Sequence, residues 1–185
     1  MRKILVVFCA ILLACVISCG KATQPKKFEQ YDVLSGAMVK GGIDGGYILK
    51  SDDTSFVAMR NTRKIYTDRA VFKVKMKAHQ QADPRNGFIR LITDKGQTIE
   101  AGILIGSDKY HLGGSAVAKQ EIAVKFDKNK LFTIELIIDI KKKEATAIID
   151  GKILKSEITQ QFKEIKWIGY VGYNTQTEFT EIEEM

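Results

Sequence analysis

Cysteine is missing from most of this chain. All three cysteines (Cys9, Cys15 and Cys19) fall within the first nineteen of 185 residues. Everything after Cys19 therefore has no disulfide, no thiol nucleophile and no Cys-ligated metal. Proline and histidine are scarce, with two of each, which excludes a Pro-rich linker and a His-rich metal tract. The histidines, His79 and His111, are too far apart in sequence for a metal-binding pair, and no Ser-His-Asp set is recognisable. Three-four periodicity is also absent. The best helical candidate is Ser156–Glu164, where Ile158 and Phe162 stand four apart; a short helical turn or irregular chain is expected there.

A strong charge of one sign is lacking too. The formal charge is +7. Without Arg2 and Lys3 it falls to +5, from 27 basic and 22 acidic residues. That excess favours solubility and weak attraction to acidic polymers or anionic headgroups. It supplies no focused basic patch or motif, so no nucleic-acid partner is expected.

What is present begins with MRKILVVFCAILLACVISCG. Arg2 and Lys3 lead into an apolar run from Ile4 to Ile17, laid out like a secretory signal and too short for a comfortable membrane span. Val16-Ile17-Ser18-Cys19 resembles the lipobox of bacterial lipoproteins. The resemblance implies a signal peptide over 1–18, lipidation of Cys19 and attachment to a membrane. Leu13-Ala14-Cys15 is a second candidate, but cleavage at Cys19 leaves a longer apolar core. Residues 19–27 then read as the lipidated cysteine and a flexible polar tether. Gly20, standing where an Asp would favour the inner membrane, leans towards the outer membrane of a bacterial cell envelope.

From residue 28 to 185 the apolar residues mostly alternate. Phe72, Val74 and Met76 share one face, and Lys73, Lys75 and Lys77 the other. Phe132, Ile134, Leu136 and Ile138 oppose Thr133, Glu135 and Asp139, while Ile137 breaks the polar side and predicts partial cover on both faces. Turn signals separate the runs at Gly41–Gly46, Asp94–Gln97, Asp127–Lys130 and Lys141–Glu144. Asp150-Gly151 is the sharpest of them, because a two-residue hairpin turn needs positive φ at both positions. Many short strands at this spacing predict an all-β, two-sheet antiparallel β-sandwich or jelly roll.

The order FTIELIIDIKKKEATAIIDGKIL, then IKWIGYVGYNTQTEF, resembles the concanavalin A-like lectin/glucanase superfamily in its small LamG-like forms. The resemblance implies a jelly roll that often binds glycans on a concave face or at a loop rim. Glucan-cutting members carry Glu-x-Asp-x-x-Glu on one strand, and this chain lacks it. The nearest acidic run (Glu178, Glu181, Glu183 and Glu184) reads as a solvated strand end, so no catalytic residue is assigned.

Sugar recognition calls for an aromatic platform and planar polar groups. The candidates are Tyr110, His111, Trp167, Tyr173 and Asn174. Within KWIGYVGY, Trp167, Val171 and Tyr173 share one parity and Ile168 and Tyr170 the other; one set faces the core. Arg60 and Arg90 join the candidates because each is a lone cation in an apolar strand. A buried arginine needs a partner, and Glu100 is one option. Asp44 and Asp52-Asp53 offer oxygen ligands for Ca²⁺; no other cofactor is indicated. The expected role is a lipid-anchored, noncatalytic domain that binds carbohydrate. The rivals are a glycan hydrolase and an assembly lipoprotein contacting an envelope protein.

Overall fold

The computed structural model describes residues 25–51, 55–79, 86–125, 130–173 and 176–185. Two 3-10 turns, Ile43–Gly45 and Ile105–Ser107, are the only helical pieces among them. The strands are β1 (Lys26–Phe28), β2 (Tyr31–Ser35), β3 (Ala37–Lys40), β4 (Tyr47–Lys50), β5 (Ser55–Tyr66) and β6 (Arg69–His79). Next come β7 (Asn86–Thr93), β8 (Thr98–Leu104), β9 (Lys109–Gly113), β10 (Gln120–Ala123) and β11 (Phe132–Asp139). The chain closes with β12 (Glu144–Ile149), β13 (Lys152–Glu157), β14 (Ile165–Tyr173), β15 (Gln176–Phe179) and β16 (Glu183–Glu184). The first strand thus starts at Lys26, inside the segment read as a tether.

The strands form two antiparallel sheets. The first has the order β1-β2-β5-β14-β7-β8-β9-β10 and the second β13-β12-β11-β6-β15-β4-β3, with β16 also paired to β6. The chain is an all-β sandwich of the jelly-roll kind. Alternation sets its core. Phe72, Val74, Met76, Phe132, Ile134, Leu136 and Ile138 from the second sheet are all buried in one cluster with Ile89, Leu91, Ile168 and Tyr170 from the first. Lys73, Lys75 and Lys77 stand on the opposite face of β6. Ile137 is half-buried; its neighbour Val71 carries the last residue, with Met185 N 2.9 Å from Val71 O.

The hairpin at Asp150-Gly151 joins β12 to β13 with φ of 48° and 79°, the double positive φ of a tight primed turn. Asp94–Gln97 and Lys141–Lys143 likewise join neighbouring strands, while 127–129 lie outside the described residues. Ser156–Glu164 forms no helix. Ser156 and Glu157 end β13, and the chain beyond is irregular up to β14. Ile158 and Phe162 are nevertheless both buried, so the two apolar residues plug the sandwich as single side chains rather than as a helix face.

Candidate functional site

The outward face of the first sheet carries four of the predicted residues: Tyr173, Trp167, Arg90 and His111. On β14, Ile168 and Tyr170 enter the core with 0% exposure. The opposite parity of the same strand therefore presents Trp167, Gly169, Val171 and Tyr173 outward. Register carries this face across the neighbouring strands. Tyr173 lies beside Asn86, Val171 beside Phe88, Gly169 beside Arg90 and Trp167 beside Ile92. Phe88 continues to Gly102 and His111, and Arg90 to Glu100 and Gly113. His111 then meets Glu121 on β10.

Within this grid Arg90 is held in place. Its Nε donates to Glu100 Oε1 at 2.9 Å and its Nη2 lies 2.8 Å from the same oxygen. Nη2 also donates to Tyr173 Oη at 3.3 Å. Tyr173 leans over Phe88 to do so, with ring centroids 6.4 Å apart and nearly edge-to-face. It remains 37% exposed, an aromatic surface beside a fixed cation–carboxylate pair. His111 packs edge-on against Phe88 from the other side, at 5.6 Å. Its ring lies over Gly113, where an added Cβ would meet His111 Nε2 at 2.6 Å. The absent side chain at Gly113 is what lets the imidazole lie flat.

Two buried polar atoms on this face have no hydrogen-bond partner among the described residues: Asn86 Oδ1 and His111 Nδ1. Such atoms are uncommon in folded proteins and cost about 1–3 kcal/mol each when left unsatisfied. His111 Nδ1 is also 3.5 Å from Glu121 Oε1. Glu121 accepts from Lys109 at 2.8 Å and lies 3.0 Å from Lys119. Those two ammonium groups hold its carboxyl down to about 2, so it is an anion at any physiological pH.

Trp167 shares this face and is half-buried, with Lys166 Nζ 5.4 Å from its ring. Two other candidates leave the set. Tyr110 is 4% exposed on the inward side of β9. Its hydroxyl crosses the sandwich to donate to Asp150 Oδ2 at 3.2 Å; burial and the Asp150 charge push its pKa up to about 12. It bridges the sheets and offers no face to a ligand. Arg60 is likewise interior, with a side chain 2% exposed and paired to an equally buried Glu184. Glu184 is thus the opposite of a solvated strand end: it also accepts from Tyr66 Oη at 3.1 Å and Arg63 N at 3.0 Å. Asn174, Asp52, Asp53 and Cys19 lie outside the described residues. Asp44, the remaining calcium candidate, is paired with Lys75 Nζ at 3.0 Å. No group of three or more His, Cys, Asp or Glu side chains that could hold a metal occurs among the described residues.

Sequence reasoning missed Asn86, Phe88 and Glu121, whereas Glu100 is the partner it offered for an arginine, and Arg90 takes it. Phe88 shares parity with Arg90, a signal that was available; the partnership of Glu121 with His111 needed the β9–β10 register. A separate groove of about 370 Å³ runs over the outer face of the second sheet, lined by Lys73, Lys75, Thr133, Glu135 and Ile148 among others. It has no aromatic ring in its lining, and its lysines are engaged by Glu135 and Asp44.

No protein-family model matches the chain. No curated protein matches it by sequence. Its fold, however, is shared with solved structures. The carbohydrate-binding module CBM66 from Bacillus subtilis superposes with a TM-score of 0.66 at 13% identity, over 84% of this chain and 94% of that one. A Bacillus subtilis protein of unknown function with a galectin-like fold gives 0.60 at 10% identity, over 84% and 89%. The carbohydrate recognition domain of Emp47p gives 0.59 at 10% identity, over 89% and 91%. At these identities the likeness establishes the β-sandwich fold that this chain has in common with carbohydrate-binding modules and lectin domains.

Proposed function

We propose that this chain is a lipid-anchored, extracytoplasmic domain of the bacterial cell envelope that binds carbohydrate without transforming it. Recognition is assigned to the outward face of the first sheet, in a concanavalin A-like jelly roll. One observation carries the assignment. The Tyr173 ring stands beside the fixed Arg90–Glu100 pair, on the face where Asn86 Oδ1 and His111 Nδ1 have no hydrogen-bond partner among the described residues. A tyrosine ring suits the C–H side of a sugar, and the Arg–Glu pair offers donors and acceptors to its hydroxyls. The shared fold adds support by analogy. The leader sequence supports the anchor at Cys19 and the outer-membrane location.

The test is a glycan array and polysaccharide pull-down with wild type, Tyr173→Ala and Arg90→Ala, in calcium and in chelator. Saturable binding to one glycan class, weakened about tenfold by either substitution in folded protein, is the expected result. Loss in chelator would assign a calcium role to the Asp44 and Asp52-Asp53 loops. Failure across a broad panel would overturn the reading in favour of an envelope protein partner. Release of shortened products would favour a hydrolase. Palmitate labelling lost in Cys19→Ala checks the anchor.

A further inference from the structure

Tyr173 and Trp167 stand at the two ends of one outward strip. Both lie on β14 with the same parity, and the register against β7 is regular from Trp167 to Tyr173. At about 3.3 Å per residue their backbones are roughly 20 Å apart. Between them β14 contributes only Val171 and Gly169, the latter kept bare because an added Cβ would strike Ala58 O at 1.9 Å and Met59 Sδ at 2.7 Å. Beside them β7 contributes Arg90 and Ile92, and β8 contributes Glu100. By register the strip runs from Tyr173 past the buried Val171 and Phe88 to Gly169 and Arg90, and on to Ile92 and Trp167, with the Arg90 guanidinium reaching back to the Tyr173 hydroxyl. It is longer than one pyranose or furanose ring.

Resting on the carbohydrate-binding reading above, we infer that the ligand is an extended polysaccharide lying along β14, engaged by Tyr173 at one end and Trp167 at the other. A single sugar or chain terminus occupies only the Tyr173–Arg90–Glu100 end. An internal stretch of polymer reaches Trp167 as well. Trp167 is thus a length-reading contact, and Tyr173 a contact that every ligand makes. The Trp167 indole is half-buried, with Lys166 Nζ 5.4 Å from its ring centroid, and its exposed part is what a sugar would meet.

The experiment is calorimetric titration of the full chain with size-graded oligosaccharides, from one to eight units, of glucan, fructan, galactan, xylan and mannan. Affinity is expected to rise about tenfold from the shortest bound member to the longest, the gain of one added aromatic contact. Trp167→Ala should abolish that rise and leave the shortest ligand's affinity unchanged. Trp167→Phe, which keeps a ring, should retain most of it. Tyr173→Ala should weaken every length. Affinity independent of length, or equal weakening of short and long ligands by Trp167→Ala, overturns the extended-ligand inference and leaves the carbohydrate site standing. Absence of binding to every sugar overturns both.

Discussion

Arg60 and Arg90 occupy comparable places in the sequence, each a cation next to an apolar run of its strand, yet the fold gives them opposite surroundings. Arg60 shares parity with Phe56 and Ala58, which enter the core. It lies under the closing strand and donates to Tyr31 Oη at 3.2 Å and to the Glu184 carboxylate. Tyr31 in turn donates to Tyr170 Oη at 3.3 Å, and Tyr170 to Thr180 O at 2.9 Å. This interior chain of polar groups ties the C-terminal residues to the first sheet. Arg90 alternates with Ile89 and Leu91, whose burial turns it outward. Its partner Glu100 is one strand away, and its third contact, Tyr173, is exposed. A lone arginine in an apolar run therefore marks a special position without saying which kind. The parity of its neighbours decides that.

The comparison can be broken most forcefully from the inside. Glu184→Ala leaves the Arg60 guanidinium buried and unpaired, and should lower the unfolding free energy by about 3–5 kcal/mol. Denaturant titration reads this directly, and a loss below about 1 kcal/mol would mean that the latch contributes little. On the outer face the same kind of truncation should act on binding instead. Tyr173→Ala should cost about tenfold in glycan affinity, with stability within about 0.5 kcal/mol of wild type.

A smaller effect separates the two tyrosines that the sequence offered together. Tyr110→Phe removes the bond to Asp150 and should destabilise by about 1 kcal/mol. Glycan binding should be unchanged, because the hydroxyl points between the sheets. A binding defect in a folded Tyr110→Phe protein would place that side of β9 in the site after all.

The mildest test is acid. Asp94 is held below the usual carboxylate range by the backbone N–H groups of Lys163 and Glu164. Burial pushes Asp150 upward, but Lys130 and the Thr133 N–H outweigh it and the net direction is down. Folded-state values below the unfolded ones mean stability that is complete above about pH 4 and lost as pH falls through the folded-state values. Urea midpoints measured from pH 6 to pH 2 should decline only at the acid end, and Asp94→Asn should flatten that decline.

Much of the fold was legible because strand alternation is local. Phe72–Val74–Met76 and Phe132–Ile134–Leu136–Ile138 declared their buried faces at sight, and Asp150-Gly151 declared its turn through a backbone requirement. Ile158 and Phe162 left a helical turn and irregular chain both open, since two buried residues four apart satisfy either, and the structure takes the irregular one. The site was less legible. His111 and Arg90 were visible as unusual residues and Glu100 as an arginine partner, but Asn86 and Glu121 look like any polar strand residue until register sets them on the same face.

The sequence alone determined which residues alternate, where the tight turn falls, and that residues after Cys19 form no disulfide. Those properties depend on neighbours one or two positions away and on composition. Tertiary structure decided which parity of β14 faces out, which arginine is interior, and that Glu184, 124 positions from Arg60, would neutralise it. Each of these depends on strands brought together from distant parts of the chain. Pairing and sheet stacking set them, and no local pattern encodes the partner.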